Sequence, residues 1–398
     1  MSSSLPSLVP KQASSRPVTI VAHAAFIPTG VVTVLLGPLL PILSSRWALS
    51  DAQAGYLFTA QFAASMIGVA LFGWLAASFA FRLVIVVGAL MMALGTTALP
   101  AAGWPFGLAC VACWGIGLGL TIPAANLVVA EVNQERRTGA LNLLNFSWSL
   151  GAVACPLLVA VFQRTHRTSL FLYSLSGVLV FVSVVISATS FPSPRREPLA
   201  EPTDLRPVMK FLRARDLLLL GTLFFLYVGM ENAVGGWSAS YAKRISLQAD
   251  VLWVMTPSFF YGALLLGRGL APLLLRHIPE LRMAQIGSLI GCLGTVALLC
   301  SHTIATIGGS VIATGLGLST LYPITIAALS RRFGSTAARL GSLMFSLGNV
   351  GGATLPYLVG YFSKQLGSLN IGLAVPLIAG VIMFGLFTRL TTENSPPV

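Results

Sequence analysis

Charged residues are scarce in this sequence. Asp, Glu, Lys and Arg together make up 9% of its 398 residues, whereas about 25% is usual for a soluble globular domain. Acidic residues are the scarcest, with 11 Asp and Glu against 24 Lys and Arg, while 56% of the chain is hydrophobic. This composition excludes an ordinary soluble domain and predicts a membrane protein that crosses the bilayer many times.

Motifs for nucleotide, metal and hydrolytic chemistry are also missing. The sequence has no phosphate-binding loop of the form GxxxxGK(S/T), no His/Glu metal-ligand spacing and no serine nucleophile elbow. Its five cysteines lie in apolar runs, and the CxxC of Cys110 and Cys113 has no second ligand pair. We interpret them as small buried hydrophobic residues and predict no cofactor, no metal and no enzyme activity.

Apolar runs of about 20 residues, the length of a membrane-spanning helix, are abundant. They predict an all-α membrane protein with twelve transmembrane helices. Six spans lie in residues 18–190, at 18–43, 52–77, 83–102, 106–130, 138–162 and 169–190. Six more lie in residues 216–390, at 217–242, 251–275, 283–301, 304–328, 338–362 and 369–390. The polar stretch 191–215 is interpreted as a linker, and residues 1–17 and 391–398 as terminal tails.

The basic residues are unevenly divided between the two sides of these spans. Most Lys and Arg residues share a side with both termini and the linker, which the positive-inside rule assigns to the cytoplasm of a bacterial inner membrane. The basic residues outside that set are Arg46, Arg164, Arg167, Lys243, Arg244 and Lys364 on the opposite side, and Arg268 within a span. Because the basic residues flank apolar runs and are not interleaved with aromatics, we predict no nucleic-acid partner.

The two sets of spans look like copies of each other. Gly68, Gly73 and Arg82 recur in spacing as Gly262, Gly267 and Arg276, and Gly151, Pro156 and Phe162 recur as Gly351, Pro356 and Phe362. Repeats in the same direction, offset by about half the chain, predict two pseudo-symmetric six-helix bundles. The two halves of major facilitator transporters have this arrangement, with substrate bound between them.

One apolar segment, residues 225–237, contains an acid. Glu231 is the only formal charge between Asp216 and Lys243, and a carboxylate within a span usually faces a cavity or a partner. We therefore predict that Glu231 binds substrate, couples transport to an ion, or does both. Its neighbours Asn232 and Trp237 are further candidates for the binding site, and Gly235 with Gly236 is a candidate hinge.

Other polar and aromatic side chains fall near the middle of the predicted spans. Amides and flat rings are suited to replacing the hydration of a sugar, because an unpaired hydroxyl costs a few kcal/mol. The candidates are Gln61, Tyr261 and Asn349 near mid-membrane, Asn145 closer to the cytoplasm, and the rings of Trp148 and Tyr322. Glu131, with its charged neighbours, is interpreted as a gate or a solvated loop at the inner end of its span, and Arg268 as one partner of an inner-gate ion pair.

Several segments carry a family resemblance. Residues 141–152, 227–244, 315–329 and 348–360 resemble the fucose/glucose/galactose:proton symporter branch of the major facilitator superfamily. The resemblance implies a monosaccharide transporter that works by alternating access and is driven by protons. Asn142 and Asn145 match polar positions of that family's fifth helix, and Asn126 matches an asparagine of the fourth. The family's acids in its first and fourth helices are absent, which leaves coupling at those positions unsupported.

Three alternatives remain open from the sequence. A drug or lipid exporter of the same fold would share the composition and the repeat. An uncoupled or sodium-coupled sugar facilitator would share the binding residues as well. A membrane-embedded enzyme would need several acids or histidines at one depth. We expect a monomer whose partners are a small neutral solute, a proton or sodium ion, and membrane lipid.

Overall fold

The protein is built of long helices. The structure, a computed structural model, describes residues 15–78, 81–189, 191, 215–246, 252–333 and 337–393. Within these ranges the elements are helices and no strand occurs, which confirms the predicted all-α fold. Helices satisfy the backbone hydrogen bonds within each segment, as a bilayer requires. The linker residues 192–214 and the outer parts of both predicted tails lie outside the described residues.

The described residues of the first half form seven α-helices. They are α1 (Ser15–Val34), α2 (Leu36–Trp47), α3 (Asp51–Ser78), α4 (Phe81–Ala98), α5 (Phe106–Val132), α6 (Arg137–Arg164) and α7 (Thr168–Ala188). Together α1 and α2 form the first predicted span. Pro38 lacks the N–H that would bond to the Val34 carbonyl, which accounts for the break between them.

The described residues of the second half form eight α-helices and a 3₁₀ turn at Leu252–Met255. The helices are α8 (Arg215–Ile245), α9 (Thr256–Leu274), α10 (Glu280–Leu299), α11 (Ile304–Leu318), α12 (Leu321–Phe333), α13 (Ala337–Leu366), α14 (Leu369–Gly372) and α15 (Ala374–Glu393). Within the described residues, ten segments are long and apolar enough to cross a membrane. As far as their residues are described, the twelve predicted spans lie on these elements, each on one helix or on two consecutive elements.

Close helix crossings confirm that the halves are copies. A Cβ added at Gly117 of α5 would lie 2.4 Å from the Gly88 carbonyl of α4, and one added at Gly317 of α11 would lie 2.6 Å from the Gly287 carbonyl of α10. Only glycine allows backbones to approach so closely. The two crossings are related by an offset of 199 or 200 residues, so the same contact occurs once in each half.

The repeat has a different register in α3 and α9 from the one predicted by glycine spacing. A Cβ at Gly68 would lie 2.4 Å from the Ile116 carbonyl, and one at Gly267 would lie 3.5 Å from the Leu316 carbonyl, whereas Gly262 faces open space. Gly68 therefore corresponds to Gly267, and the predicted pairing with Gly262 is wrong. Glycine is so frequent in this chain that a five-residue shift reproduces a similar spacing.

The two halves are joined at one end of the bundle. We call the end where α1 and α8 begin the linker end, and the opposite end the far end. At the far end Arg244 of α8 forms a salt bridge with Asp51 of α3, and Ser363 donates to the same carboxylate. Lys243 donates to Ser45 of α2 at 2.7 Å and to the Pro41 carbonyl at 3.0 Å. Polar bonds thus hold the far end closed.

Candidate substrate and coupling site

Glu231 lies in the middle of α8 and is buried, with a relative exposure of 8%. Tyr227 precedes it by one helical turn, so the two side chains lie on the same face of the helix. The Arg268 side chain of α9 reaches this face, where its Nη2 donates a hydrogen bond to the Tyr227 hydroxyl at 3.0 Å. The hydroxyl also interacts with the Glu231 carboxylate. A carboxylate, a phenol and a guanidinium are therefore brought together.

The two opposite charges in this cluster are not directly paired. Among the described residues no acidic oxygen lies within the 4.0 Å of a salt bridge from Arg268. The Nε atom of Arg268 is buried and has no hydrogen-bond partner, a condition that costs a few kcal/mol in a protein interior. The predicted inner-gate ion pair of Arg268 is thus replaced in this state by a bond to Tyr227. Its predicted role as a gate stays a prediction.

Aromatic residues surround this cluster. Tyr322 of α12 packs against Tyr227 with ring centroids 5.6 Å apart, and Phe224 packs edge-on against Tyr322 at 5.4 Å. Tyr261 of α9 is buried, and its hydroxyl would lie 2.6 Å from a Cβ added at Gly235. Because Gly235 is one turn beyond Glu231, Tyr261 approaches the cluster from the far end.

The corresponding positions of the first half carry no charge. The crossings of Gly151 with Ile27 and of Gly351 with Phe225 relate α8 to α1 by 198 residues, so Tyr227 and Glu231 correspond to Thr29 and Thr33. With the offsets of 199 and 200 for the other helices, Tyr261, Arg268 and Tyr322 correspond to Phe62, Val69 and Ile122. The charge chemistry of the site therefore belongs to the second half alone. This agrees with the absence of the acids expected in the first half.

Two predicted asparagines of the second half face the first half. Asn232 lies one turn before Gly236, where a Cβ would lie 2.5 Å from the Phe58 ring of α3. Asn349 lies one turn before Gly352 and Ala353, which meet Phe62 and Thr59 of α3. Both asparagines are half-buried. They lie between the halves, on the linker side of the far-end contacts.

The first half presents a polar face of α6. Trp148 is half-buried and donates from Nε1 to the Thr33 hydroxyl at 3.2 Å. It lies five residues before Val153, whose carbonyl accepts a hydrogen bond from Ser258 of the second half at 2.9 Å. Asn145 lies one turn closer to the linker end and is exposed, as is Asn142. These residues continue the inter-half surface toward the linker end.

Two predicted binding residues are engaged in packing instead. Gln61 is 2% exposed, accepts a hydrogen bond from the Trp114 indole at 2.9 Å and donates to the Thr33 carbonyl at 2.9 Å. Trp237 is 1% exposed, donates to the Pro356 carbonyl at 2.9 Å and packs 6.3 Å from the Phe58 ring. In this state the structure does not place either residue with the Glu231 cluster.

The remaining predicted residues lie away from the cluster or pack closely. Asn126 and Glu131 are half-buried near the linker end of α5, and the Asn126 amide donates to the Ile122 carbonyl at 2.8 Å. Helix α8 runs unbroken through the predicted hinge at Gly235 and Gly236. The glycines make room for Tyr261 and Phe58, which is a packing role that the sequence prediction did not include.

Sequence reasoning missed Tyr227, which bonds Arg268, and Thr33, which bonds Gln61 and Trp148. Tyr227 could have been found, because it precedes Glu231 by four residues and so lies on the same helix face. No comparable signal identified Thr33, whose partners are in α3 and α6.

Comparison with known proteins identifies the class. The sequence model described as Major Facilitator Superfamily matches residues 23–356, which is most of the chain. The protein therefore belongs to the Major Facilitator Superfamily, and is an integral multi-pass membrane transporter.

Individual relatives are distant but cover most of the chain. It is 22% identical to the sodium-dependent glucose transporter 1 of Danio rerio, over 95% of this chain and 70% of the relative. It is 24% identical to the sodium-dependent glucose transporter 1A of Mus musculus, over 93% of this chain and 96% of the relative. An uncharacterised MFS-type transporter of Yersinia pestis is 23% identical over 87% and 89%.

Solved structures share the fold. The nucleoside transporter NupG has a TM-score of 0.79 at 11% identity, covering 95% of this chain and all of that one. The Escherichia coli fucose:proton symporter FucP has a TM-score of 0.66 at 17% identity, covering 95% and 99%. A bacterial homologue of the lysosomal transporter Spinster has a TM-score of 0.76 at 13% identity, covering 98% and 100%.

Proposed function

We propose that this transporter moves a neutral monosaccharide by alternating access, with both termini in the cytoplasm of a bacterial inner membrane. The observation that carries the proposal is the placement of amides and aromatic rings on both sides of one inter-half surface. Asn232 and Asn349 come from the second half, and Asn145 and Trp148 from the first. A solute bound between the halves would contact side chains of both.

The chemistry of these side chains suits a polyhydroxylated solute. Asn145 and Asn232 each donate one amide hydrogen to a carbonyl of their own helix, at 2.9 and 2.8 Å. An amide has two donors and a carbonyl acceptor, so each retains groups for a ligand. Sugar hydroxyls taken out of water need such partners, because an unpaired hydroxyl costs about 1 to 3 kcal/mol.

Relatives support the same substrate class. Two of them are named as glucose transporters, and solved structures of the same fold include a fucose:proton symporter and a nucleoside transporter, both of which carry sugar-containing solutes. These names support a sugar over a drug or lipid.

We further propose that Glu231 couples uptake to an ion gradient. It is the buried acid of the site, and a carboxylate can carry a proton across the bundle or accept hydrogen bonds from sugar hydroxyls. The second role needs no titration, and a facilitator that uses Glu231 only to bind sugar is the alternative. Of the two versions, we propose proton coupling.

Binding to the purified protein in nanodiscs tests the substrate class. Labelled hexoses should bind and be displaced by unlabelled hexose, and not by cationic dyes. Asn145→Ala and Asn349→Ala should each weaken sugar binding by about 1 to 3 kcal/mol, which is about 5- to 150-fold. Asn370→Ala is the matched control, because the Asn370 amide bonds the Leu299 carbonyl within the second half. Unchanged affinity in both test variants would exclude these asparagines from the site.

A further inference from the structure

A chain of hydrogen bonds links four helices of the first half. Trp114 of α5 donates from Nε1 to the side-chain oxygen of Gln61 at 2.9 Å, and the Gln61 amide of α3 donates to the Thr33 carbonyl at 2.9 Å. Trp148 of α6 donates from Nε1 to the Thr33 hydroxyl at 3.2 Å. Thr33 of α1 is therefore the residue through which this chain of bonds reaches the Trp148 ring.

The Thr33 hydroxyl is oriented to accept the indole N–H. It donates its single hydrogen to the Thr29 carbonyl at 2.7 Å, which leaves its oxygen lone pairs to accept from Trp148. The Thr33 backbone is bonded to Gln61, which is 2% exposed, and Gln61 is bonded to Trp114, which is 0% exposed. The acceptor of the indole N–H is thus held by residues of the buried core.

The backbone of Trp148 is fixed as well. A Cβ added at Gly30 would collide with the Trp148 carbonyl, so α1 and α6 are in close backbone contact at this point. Thr33 follows Gly30 by three residues and lies on the same face of α1. The ring of Trp148 is therefore restrained at its backbone and at its N–H, although the side chain is only half-buried.

The two halves differ at these positions in a complementary way. The offset of 198 residues between α1 and α8 relates Thr33 to Glu231, and the offset of 200 between α6 and α13 relates Trp148 to Gly348. The first half thus has a ring held by a hydroxyl, where the second half has a carboxylate and a residue without a side chain. A pyranose needs both kinds of group, because it has a flat C–H face and an edge of hydroxyls.

We propose that Thr33 is the positioning residue that holds the Trp148 ring as the apolar platform of the sugar site, and that this platform selects cyclic sugars over open-chain polyols. Because the indole N–H is occupied by Thr33, the part of Trp148 left for a solute is its flat apolar surface. A hexose presents a matching C–H face, whereas a hexitol has hydroxyls for the asparagines but no ring. The inference rests on the proposed sugar transport and extends it by naming the group that recognises the ring.

Competition binding in nanodiscs measures this selectivity. Glucose, mannose and galactose are compared with sorbitol, mannitol and galactitol, the hexitols formed by their reduction, as competitors of a labelled hexose. Thr33→Val keeps the shape of the side chain but leaves the indole N–H without its partner. It should weaken binding of the hexose by about three- to tenfold and leave binding of the hexitol unchanged. Trp148→Ala, which removes the ring itself, should lower the hexose-to-hexitol affinity ratio at least as much.

Two further variants separate this role from a general effect on folding. Thr33→Ser restores the hydroxyl and should recover the wild-type ratio. Thr388→Val is the matched control, because Thr388 of α15 is also half-buried and donates to the carbonyl four residues before it, that of Phe384, at 2.8 Å. It should leave the affinity ratio unchanged.

A double-mutant cycle tests whether Thr33 acts through the indole. Trp148→Phe keeps a ring but has no N–H, so Thr33→Val added to it should cause no further loss of hexose affinity. An unchanged ratio in Thr33→Val or in Trp148→Ala, or equal losses with and without the indole N–H, would overturn the inference. Absence of hexose binding in the wild type would instead overturn the proposed function, so the two failures are distinguishable.

Discussion

At the scale of single residues, the site depends on one buried carboxylate with a neutral neighbour. Tyr227 and Arg268 both lie near Glu231, and Arg268 donates a hydrogen bond to the Tyr227 hydroxyl at 3.0 Å. At this position Glu231 can have either of two roles: it can accept hydrogen bonds from sugar hydroxyls, or it can carry a proton. The two roles differ in whether the group must lose and regain a proton in each cycle.

Glu231→Gln distinguishes these roles. The amide keeps the shape and the hydrogen-bonding capacity of the acid, but it cannot exchange a proton. We expect the variant to lose proton-driven hexose accumulation and to retain counterflow, because counterflow needs no net proton movement. Uptake of labelled hexose into proteoliposomes, with and without a proton gradient, measures both. A Gln variant that still concentrates sugar would remove Glu231 from the coupling mechanism.

The sequence located Glu231 but could not assign partners to the other polar residues. Glu231 stands out because a charge within a span is rare. Gln61 has the same appearance in the sequence, yet its amide is occupied by Trp114 and Thr33, which come from other helices. The depth of a residue in the membrane follows from its number of residues from the end of its own helix. Its hydrogen-bond partners depend on how several helices pack.

At the scale of elements, α8 connects the site to the far-end closure. Its middle turn carries Glu231, and its next turn carries Gly236 against Phe58 of the first half. The sequence favours Gly235 and Gly236 as a hinge, because glycine lowers helix stability by about 1 kcal/mol relative to alanine. Close packing is a second reason for glycine at these positions.

Gly236→Ala, alone and with Phe58→Ala, distinguishes hinge from packing. The added Cβ would lie 2.5 Å from the Phe58 ring, so the single variant should slow hexose counterflow by opposing closure at the far end. If packing is the reason, Phe58→Ala should restore the rate by removing the clash. If the glycine acts as a hinge, the double variant should stay slow. Gly177→Ala on α7 is the control, because its Cβ meets open space.

The helices and their repeat were predictable from the sequence, but the register was not. Apolar length placed the predicted spans on helices, because backbone groups in lipid must be satisfied locally. Glycine spacing paired Gly68 with Gly262, whereas backbone contact pairs Gly68 with Gly267. A glycine that lets two helix backbones approach closely and a glycine that faces open space look alike in a sequence.

At the scale of the molecule, alternating access requires the far-end contacts to break and re-form. The Arg244–Asp51 salt bridge joins the halves there, and Ser363 donates to the same carboxylate. The Arg244 side chain of this salt bridge is about half exposed, with 47% of its surface accessible. A pair of this kind contributes about 0.5 to 1 kcal/mol, enough to bias two conformations without locking either.

Asp51→Asn should shift the molecule toward the state open at the far end. The loss of charge weakens the bond to Arg244, and the population ratio should change about two- to fivefold. Spin labels at the exposed positions Thr165 and Leu366, one in each half at the far end, would report a longer distance. Glu280→Gln removes the Arg331 salt bridge within the second half, and this control should leave the distance unchanged. An unchanged distance in Asp51→Asn would show that the pair does not bias the equilibrium.

The central claim is that this member of the superfamily transports a monosaccharide through the Glu231 site. The most direct measurement is uptake of a panel of labelled hexoses by proteoliposomes that contain the wild-type protein, under an inward proton gradient, a sodium gradient or no gradient. The account predicts that at least one hexose is concentrated under the proton gradient and exchanged in its absence. No uptake or exchange of any hexose, in liposomes that do transport a cationic dye or a lipid, would contradict it.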